Sequence, residues 1–283
     1  MIRTVSLTRL TTRLLIVIPF AALLYNFSPM VAAASAPSLG SASSFAVLAG
    51  TAVTCTDSTV SGDVGVWPGS AVTQTNCTIA GTVHAGDGVA RRAYLDFIGA
   101  FDNLRDNPPA CDAVLTGTLA NEVLTPGVYC VDAVAKTGTL FLDAQGDPNA
   151  QWIFLVDGAL TGTNFNVLML NGGEPCNVLW WVEAAATLTD SNFLGTILAG
   201  AAITVTRGAF HGDALATAAV TLTGTTITDC PPATHGNREH GKCNQGVGNG
   251  PEDCDPGNSN HRHPSNDERG GTPGNPGRKP GNR

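Results

Sequence analysis

"AVTLTGTTIT" (219–228) carries the deciding pattern, because "AVTCT" (52–56) and "AVTQT" (71–75) repeat its first half far upstream. With the first threonine of each T-x-T as position zero, copies begin at Thr54, Thr73, Thr187, Thr204 and Thr221. Position +2 is threonine every time: Thr56, Thr75, Thr189, Thr206 and Thr223. Position +6 is apolar (Val60, Ile79, Phe193, Phe210, Ile227), and +8 is Gly62, Gly81, Gly195 and Gly212, with Asp229 closing the last copy. Successive copies lie 19 residues apart near the start of the body and 17 apart near its end. A weaker copy begins at Thr161, with Thr163 at +2 and Val167 at +6.

Parity gives the repeat a direction. Positions −1 and +1 are Val53/Cys55, Val72/Gln74, Ala186/Leu188, Ile203/Val205 and Val220/Leu222, nearly all apolar. Side chains of a strand alternate between faces, so the apolar pair points inward and both threonines point outward. Threonine is also common in strands on general grounds; the constant phase, rather than the composition, carries the argument. A period of this length with short strands and glycine corners predicts one turn of a parallel β-solenoid per copy, stacked on similar neighbours. "IFLV" (153–156), "LWWV" (179–182), "TILA" (196–199) and "DALA" (213–216) are apolar on both faces, so one side of the solenoid needs a cover.

The segment "AGDGVARRAYLDFIGAFDNLRDNPPA" (85–110) supplies one. It predicts a helix over about 88–105, capped by Asp87 and stopped by Pro108 and Pro109. Val89, Ala93, Phe97, Phe101 and Leu104 make its apolar stripe, with Arg91, Arg92, Asp96 and Asp102 off it. Trp180 and Trp181 are expected between this helix and the sheet.

The chain has 283 residues, 43% hydrophobic and only 13% charged, which suits a β-rich, turn-rich body. Residues 35–230 carry five Lys and Arg against 17 Asp and Glu, a formal charge of −12. Such a surface repels phosphate backbones and anionic lipid, so neither nucleic acid nor a membrane surface is expected as partner.

Residues 1–34 read as a signal peptide. Arg3, Arg9 and Arg13 precede "LLIVIPFAALLY" (14–25), and the small-residue run "VAAASA" (31–36) follows. Cleavage is expected after Ala34 rather than Ala36, which precedes Pro37, and the mature protein is expected outside the cell or in the periplasm. Eight cysteines without any CxxC pair agree with an oxidising compartment and favour disulfides over metal. They admit many pairings; sequential closure, Cys55–Cys77, Cys111–Cys130, Cys176–Cys230 and Cys243–Cys254, is the expectation. Residues 231–283 are dense in Pro, Gly, Asn and charge and nearly free of apolar residues, so a disordered extension is expected there.

Two groups invite a chemical reading. Asp63 and Asp213 share position +9 and could form a carboxylate pair of the glycosidase kind, although solvated turn aspartates explain them more simply. His235, His240, His261 and His263 lie near Asp253, Asp255 and Asp267 in the tail, in a context that favours solvated side chains over a metal site. No G-x-S-x-G, phosphate-cradling loop or H-E-x-x-H is present. Neither catalysis nor a cofactor or metal is expected.

Taken together, "LGSASSFAVLAGTAVT", "SGDVGVWPGSAVT", "LTPGVY", "LFLDAQGDPNAQWIF", "CNVLWWV" and "FLGTILAGAAIT" resemble the secreted ice-binding protein family of microbes. The likeness runs from about Ser38 to Cys230 and leaves the tail outside. It implies a mainly β fold, a discontinuous, right-handed parallel β-solenoid of triangular cross-section with one long helix alongside, occupying residues 35–230. It also implies binding to an ice surface through a flat, repetitive face, here the ten threonines at positions zero and +2. An exported adhesion or matrix module on the same scaffold, attached through its tail, is the alternative. Because the helix and residues 112–160 separate the T-x-T copies in sequence, the length of any continuous ladder is left open.

Overall fold

The computed structural model describes residues 35–230; the expected signal peptide, the tail with its histidines and the expected Cys243–Cys254 pairing lie outside the described residues. Two parallel sheets share the body. From edge to edge, one runs Val83–Ala85, Asp63–Val66, Phe45–Ala49, Ala214–Ala216, Thr196–Ala199, Val178–Val182, Trp152–Val156, Gly127–Val131 and Ala113–Leu115. The other runs Ala71–Thr75, Ala52–Thr56, Val220–Thr228, Ile203–His211, Ala186–Leu194, Leu160–Leu170, Lys136–Asp143 and Val123–Leu124, with Thr59–Ser61 and Thr78–Ile79 extending its first members. The chain passes from one sheet to the other in each repeat, and every strand pairing is parallel.

The strand order explains the unusual chain path. The two N-terminal turns come first, the second outside the first, and the C-terminal turn then closes against the first: Val47 pairs with Ala214, and Thr54 with Thr221. Between these events the chain must travel from the Val83–Ala85 edge to the Ala113–Leu115 edge of the nine-stranded sheet. Eight strand spacings amount to about 38 Å. The helix Gly88–Asp106 has 19 residues, which covers about 28 Å, and the extended residues that follow supply the rest. Asp87 caps it as expected, accepting from the Val89 and Ala90 amides at 3.0 and 2.8 Å. His84 Nδ1 lies 2.7 Å from the same carboxylate.

Strands of the nine-stranded sheet are apolar on both faces because both are covered. Trp152, Phe154, Val178, Trp180, Ile197, Ala214 and Ala216 point into the solenoid. Phe45, Leu48, Ile153, Leu155, Leu179, Trp181, Leu198 and Leu215 pack on the helix through Ala93, Phe97, Ala100, Phe101 and Leu104. Two expectations are corrected here. Val89 is 52% exposed, and Ala90 is buried in its place, so the buried face of the helix is rotated by one residue at its first turn. The two tryptophans also part company. Trp181 stacks on Phe101 and donates its indole N–H to the Phe101 carbonyl at 3.1 Å, whereas Trp180 lies inside, 3.9 Å from Phe154 centre to centre. Adjacent residues of a strand face opposite ways.

Three disulfides, Cys55–Cys77, Cys111–Cys130 and Cys176–Cys230, join the pairs expected for the body. The first ties the outermost turn, where Gln74 occupies an inward position yet is exposed, to the next turn in.

Candidate functional site

All the T-x-T copies fall on one sheet and in one register. Thr73 pairs with Thr54, Thr54 with Thr221, Thr221 with Thr204, Thr204 with Thr187, and Thr187 with Thr161. The second threonines follow in step: Thr75, Thr56, Thr223, Thr206, Thr189 and Thr163. Copies more than a hundred residues apart thus become neighbours, and the question of ladder length is answered by six continuous rungs. Thr161 and Thr163, the weaker copy, belong to the set; their glycine at +1, Gly162, had disguised them. Flanking residues Val53, Cys55, Ala186, Leu188, Ile203, Val205, Val220 and Leu222 are buried beneath, while the threonines are half-buried between neighbours or, on the end rungs, exposed.

A second regularity went unread in the sequence. Strict alternation from threonines at zero and +2 would send +6 outward, yet Val60, Phe193, Phe210 and Ile227 are buried. Position +3 resolves the conflict. Asp57, Asn76, Asn164, Asp190, Arg207 and Gly224 all have positive φ, between 48° and 61°. A left-handed residue at each corner turns two successive side chains outward and resets the parity. Just inside the corner, Ser58 and Thr225 are buried in adjacent rungs, and Ser191 is buried at the same position beyond Gly208. Ser58 and Ser191 donate to the carbonyls of Thr56 and Thr189 at 2.7 and 2.9 Å and accept from the Thr225 and Phe165 amides at 3.1 Å. Thr225 donates to the Gly208 carbonyl at 3.0 Å. These bonds satisfy the backbone freed at the corners and pin the edge of the threonine face. Outside, Asn76 donates to Asp57 at 3.1 Å and Arg207 to Asp190 at 2.8 Å; the guanidinium holds the Asp190 carboxyl below the usual carboxylate range.

The chemistry available is that of a rigid grid. Threonines on one strand stand about 6.8 Å apart and rungs repeat at about 4.8 Å. Each side chain offers a methyl and a hydroxyl, and β-branching fixes χ1. No charged side chain occupies positions zero and +2 of these six rungs.

Asp63 and Asp213 form no pair. Their strands flank Phe45–Ala49 on opposite sides; Asp63 accepts from the Thr82 amide, whereas Asp213 accepts from the Cys230 amide and the Thr196 hydroxyl at 3.0 and 3.2 Å. The expectation that both are solvated is corrected for Asp213, which is 2% exposed. Burial pushes its carboxyl up to about 7. Among the described residues Lys136 is also buried, bonded to Asp132 at 2.6 Å and to the Gly117 carbonyl. Among the described residues, no cluster of three or more His, Cys, Asp or Glu is placed to hold a metal ion.

This architecture of stacked parallel turns with one helix alongside has counterparts among known proteins. A family model described as Ice-binding-like matches residues 47–228, and the chain belongs to that family. It is 37% identical over 184 residues to an ice-binding protein of Nostoc sp. (strain HG1), covering 63% of this chain and 67% of that one. Ice-binding protein 1 of Shewanella frigidimarina (strain NCIMB 400) is 29% identical over 204 residues, 59% of this chain, which spans only 23% of that protein's length. Among solved structures, the ice-binding protein of the Antarctic ascomycete Antarctomyces psychrotrophicus superposes with a TM-score of 0.64 at 32% identity, covering 69% of this chain and 98% of that one.

Proposed function

We propose that this chain is an exported ice-binding protein that adsorbs to ice through the face formed by the paired threonines and thereby inhibits ice growth or recrystallisation. The observation that carries the reading is the unbroken register of twelve threonines, on a chain of the Ice-binding-like family. Methyls constrain the water beside them while hydroxyls bond to it, so a flat array of both suits an ordered water lattice better than a charged or irregular surface does. Pre-ordering matters because binding loses little conformational freedom when the side chains are already fixed. The basic leader, apolar run and Ala-rich cleavage stretch support export. Thermal hysteresis and recrystallisation inhibition, measured on the purified protein, test the proposal. Activity in both assays is expected; a properly folded protein with neither would return the adhesion reading.

A further inference from the structure

The corner at +3 has a face on each side, and the far side repeats the chemistry of the near one at one end of the molecule. Position +5 is Thr78, Thr59 and Thr226 in three adjacent rungs, with Thr78 paired to Thr59 and Thr59 to Thr226. Position +7 adds Thr228 beside Ser61, and Ser61 donates to Asp229 at 2.8 Å. Thr59, Thr78, Thr226 and Thr228 are all exposed. Farther along the stack the same positions carry Ala209 and His211, then Asn192 and Leu194, so the hydroxyl pattern stops. The ridge between the faces is also lowest where the pattern holds. Its residues there are Asn76, Asp57 and Gly224, whereas the next rungs raise the Arg207–Asp190 ion pair.

We infer that Thr59, Thr78, Thr226 and Thr228 form a second ice-contacting face, continuous with the first around this low corner and presented to ice at a different angle. The inference rests on the reading of the T-x-T face as an ice-binding surface. Both faces are built from the same turns of the chain, so within one turn their mutual angle is set by the left-handed residue between them. A molecule with two such faces adsorbs to two sets of crystal planes.

The test uses the full chain carrying a fluorescent label, adsorbed to a single-crystal ice hemisphere. Wild type is expected to light two sets of planes. Thr59→Tyr with Thr226→Tyr should remove one set and keep the other, and Thr206→Tyr with Thr223→Tyr should do the reverse. Thr78→Tyr, on the open end rung where folding tolerates a ring, should dim the same set as the first pair. Unchanged circular dichroism and the three mapped disulfides show that each variant has folded. If the Thr59/Thr226 and Thr78 variants match wild type while the Thr206/Thr223 variant loses all adsorption, the second face is refuted and the first stands. Wild type that lights no plane overturns both.

Discussion

Asp57, Asn76, Asn164, Asp190, Arg207 and Gly224 hold the same left-handed conformation in six turns, and the shape of the candidate face depends on them. Asp, Asn and Gly enter this region at little cost, since a short polar side chain bonds locally and glycine has no Cβ to clash. A Cβ added at Gly224 would meet only the Arg207 side chain, at an ordinary contact distance of 3.6 Å, so a substitution there reads chiefly backbone strain. Gly224→Val should destabilise the fold by about 1–2 kcal/mol, whereas Gly224→Asn should cost less than about 1 kcal/mol; urea unfolding of the two variants checks this. The corner was written in the sequence as T-x-T followed by Asp, Asn or Gly. The signal is weakened by Arg207, a residue that seldom takes positive φ, and by the apolar residue at +6, whose inward direction requires the break in parity that the corner supplies.

At the scale of the elements, the helix is the clearest test of what holds the solenoid's covered side. Phe97 is fully buried against Phe45 and its neighbours, while Val89 is half exposed. Phe97→Ala should cost about 3–5 kcal/mol; Val89→Ser should stay within about 0.5 kcal/mol, and thermal unfolding distinguishes them. Helix, cap and stop were legible, since Asp87, the apolar spacing and Pro108–Pro109 are local signals. The misplaced edge of the stripe came from alanine, whose small side chain is a weak hydrophobic signal in sequence, so the bulkier Val89 reads as part of the stripe although Ala90 is the buried residue. The tryptophan pair failed for a related reason: both are apolar, and only strand parity tells which one faces the helix.

For the whole molecule, turns and phase were legible but their spatial order was not. Nothing local tells residue 54 that it will lie beside residue 221; that follows from a helix long enough to carry the chain back and from the closure of the last turn on the first. Asp213 is buried in the same stack, its carboxyl accepting the Cys230 amide. Its folded pKa of about 7, well above the ordinary aspartate value of about 3.9, means that the folded state retains a proton which the unfolded chain loses first. Stability should therefore fall as pH rises from about 4 to about 7, by up to roughly 4 kcal/mol, and level off above. Asp213→Asn should lack that decline, so the difference in melting temperature between variant and wild type should change across this window; a constant difference would contradict the buried, protonated state. The register of the threonines is the largest consequence of closure, and it bears the central claim. Thr206 and Thr223 are adjacent, outward and inside the ladder, so two tyrosine rings there would lift the face from a flat lattice while leaving the core untouched. Thermal hysteresis of Thr206→Tyr with Thr223→Tyr, compared with wild type at equal concentration, is the most direct measurement. A sharp fall in hysteresis with an unchanged circular dichroism spectrum is the expected result; full activity in the folded double variant would place the ice-binding surface elsewhere.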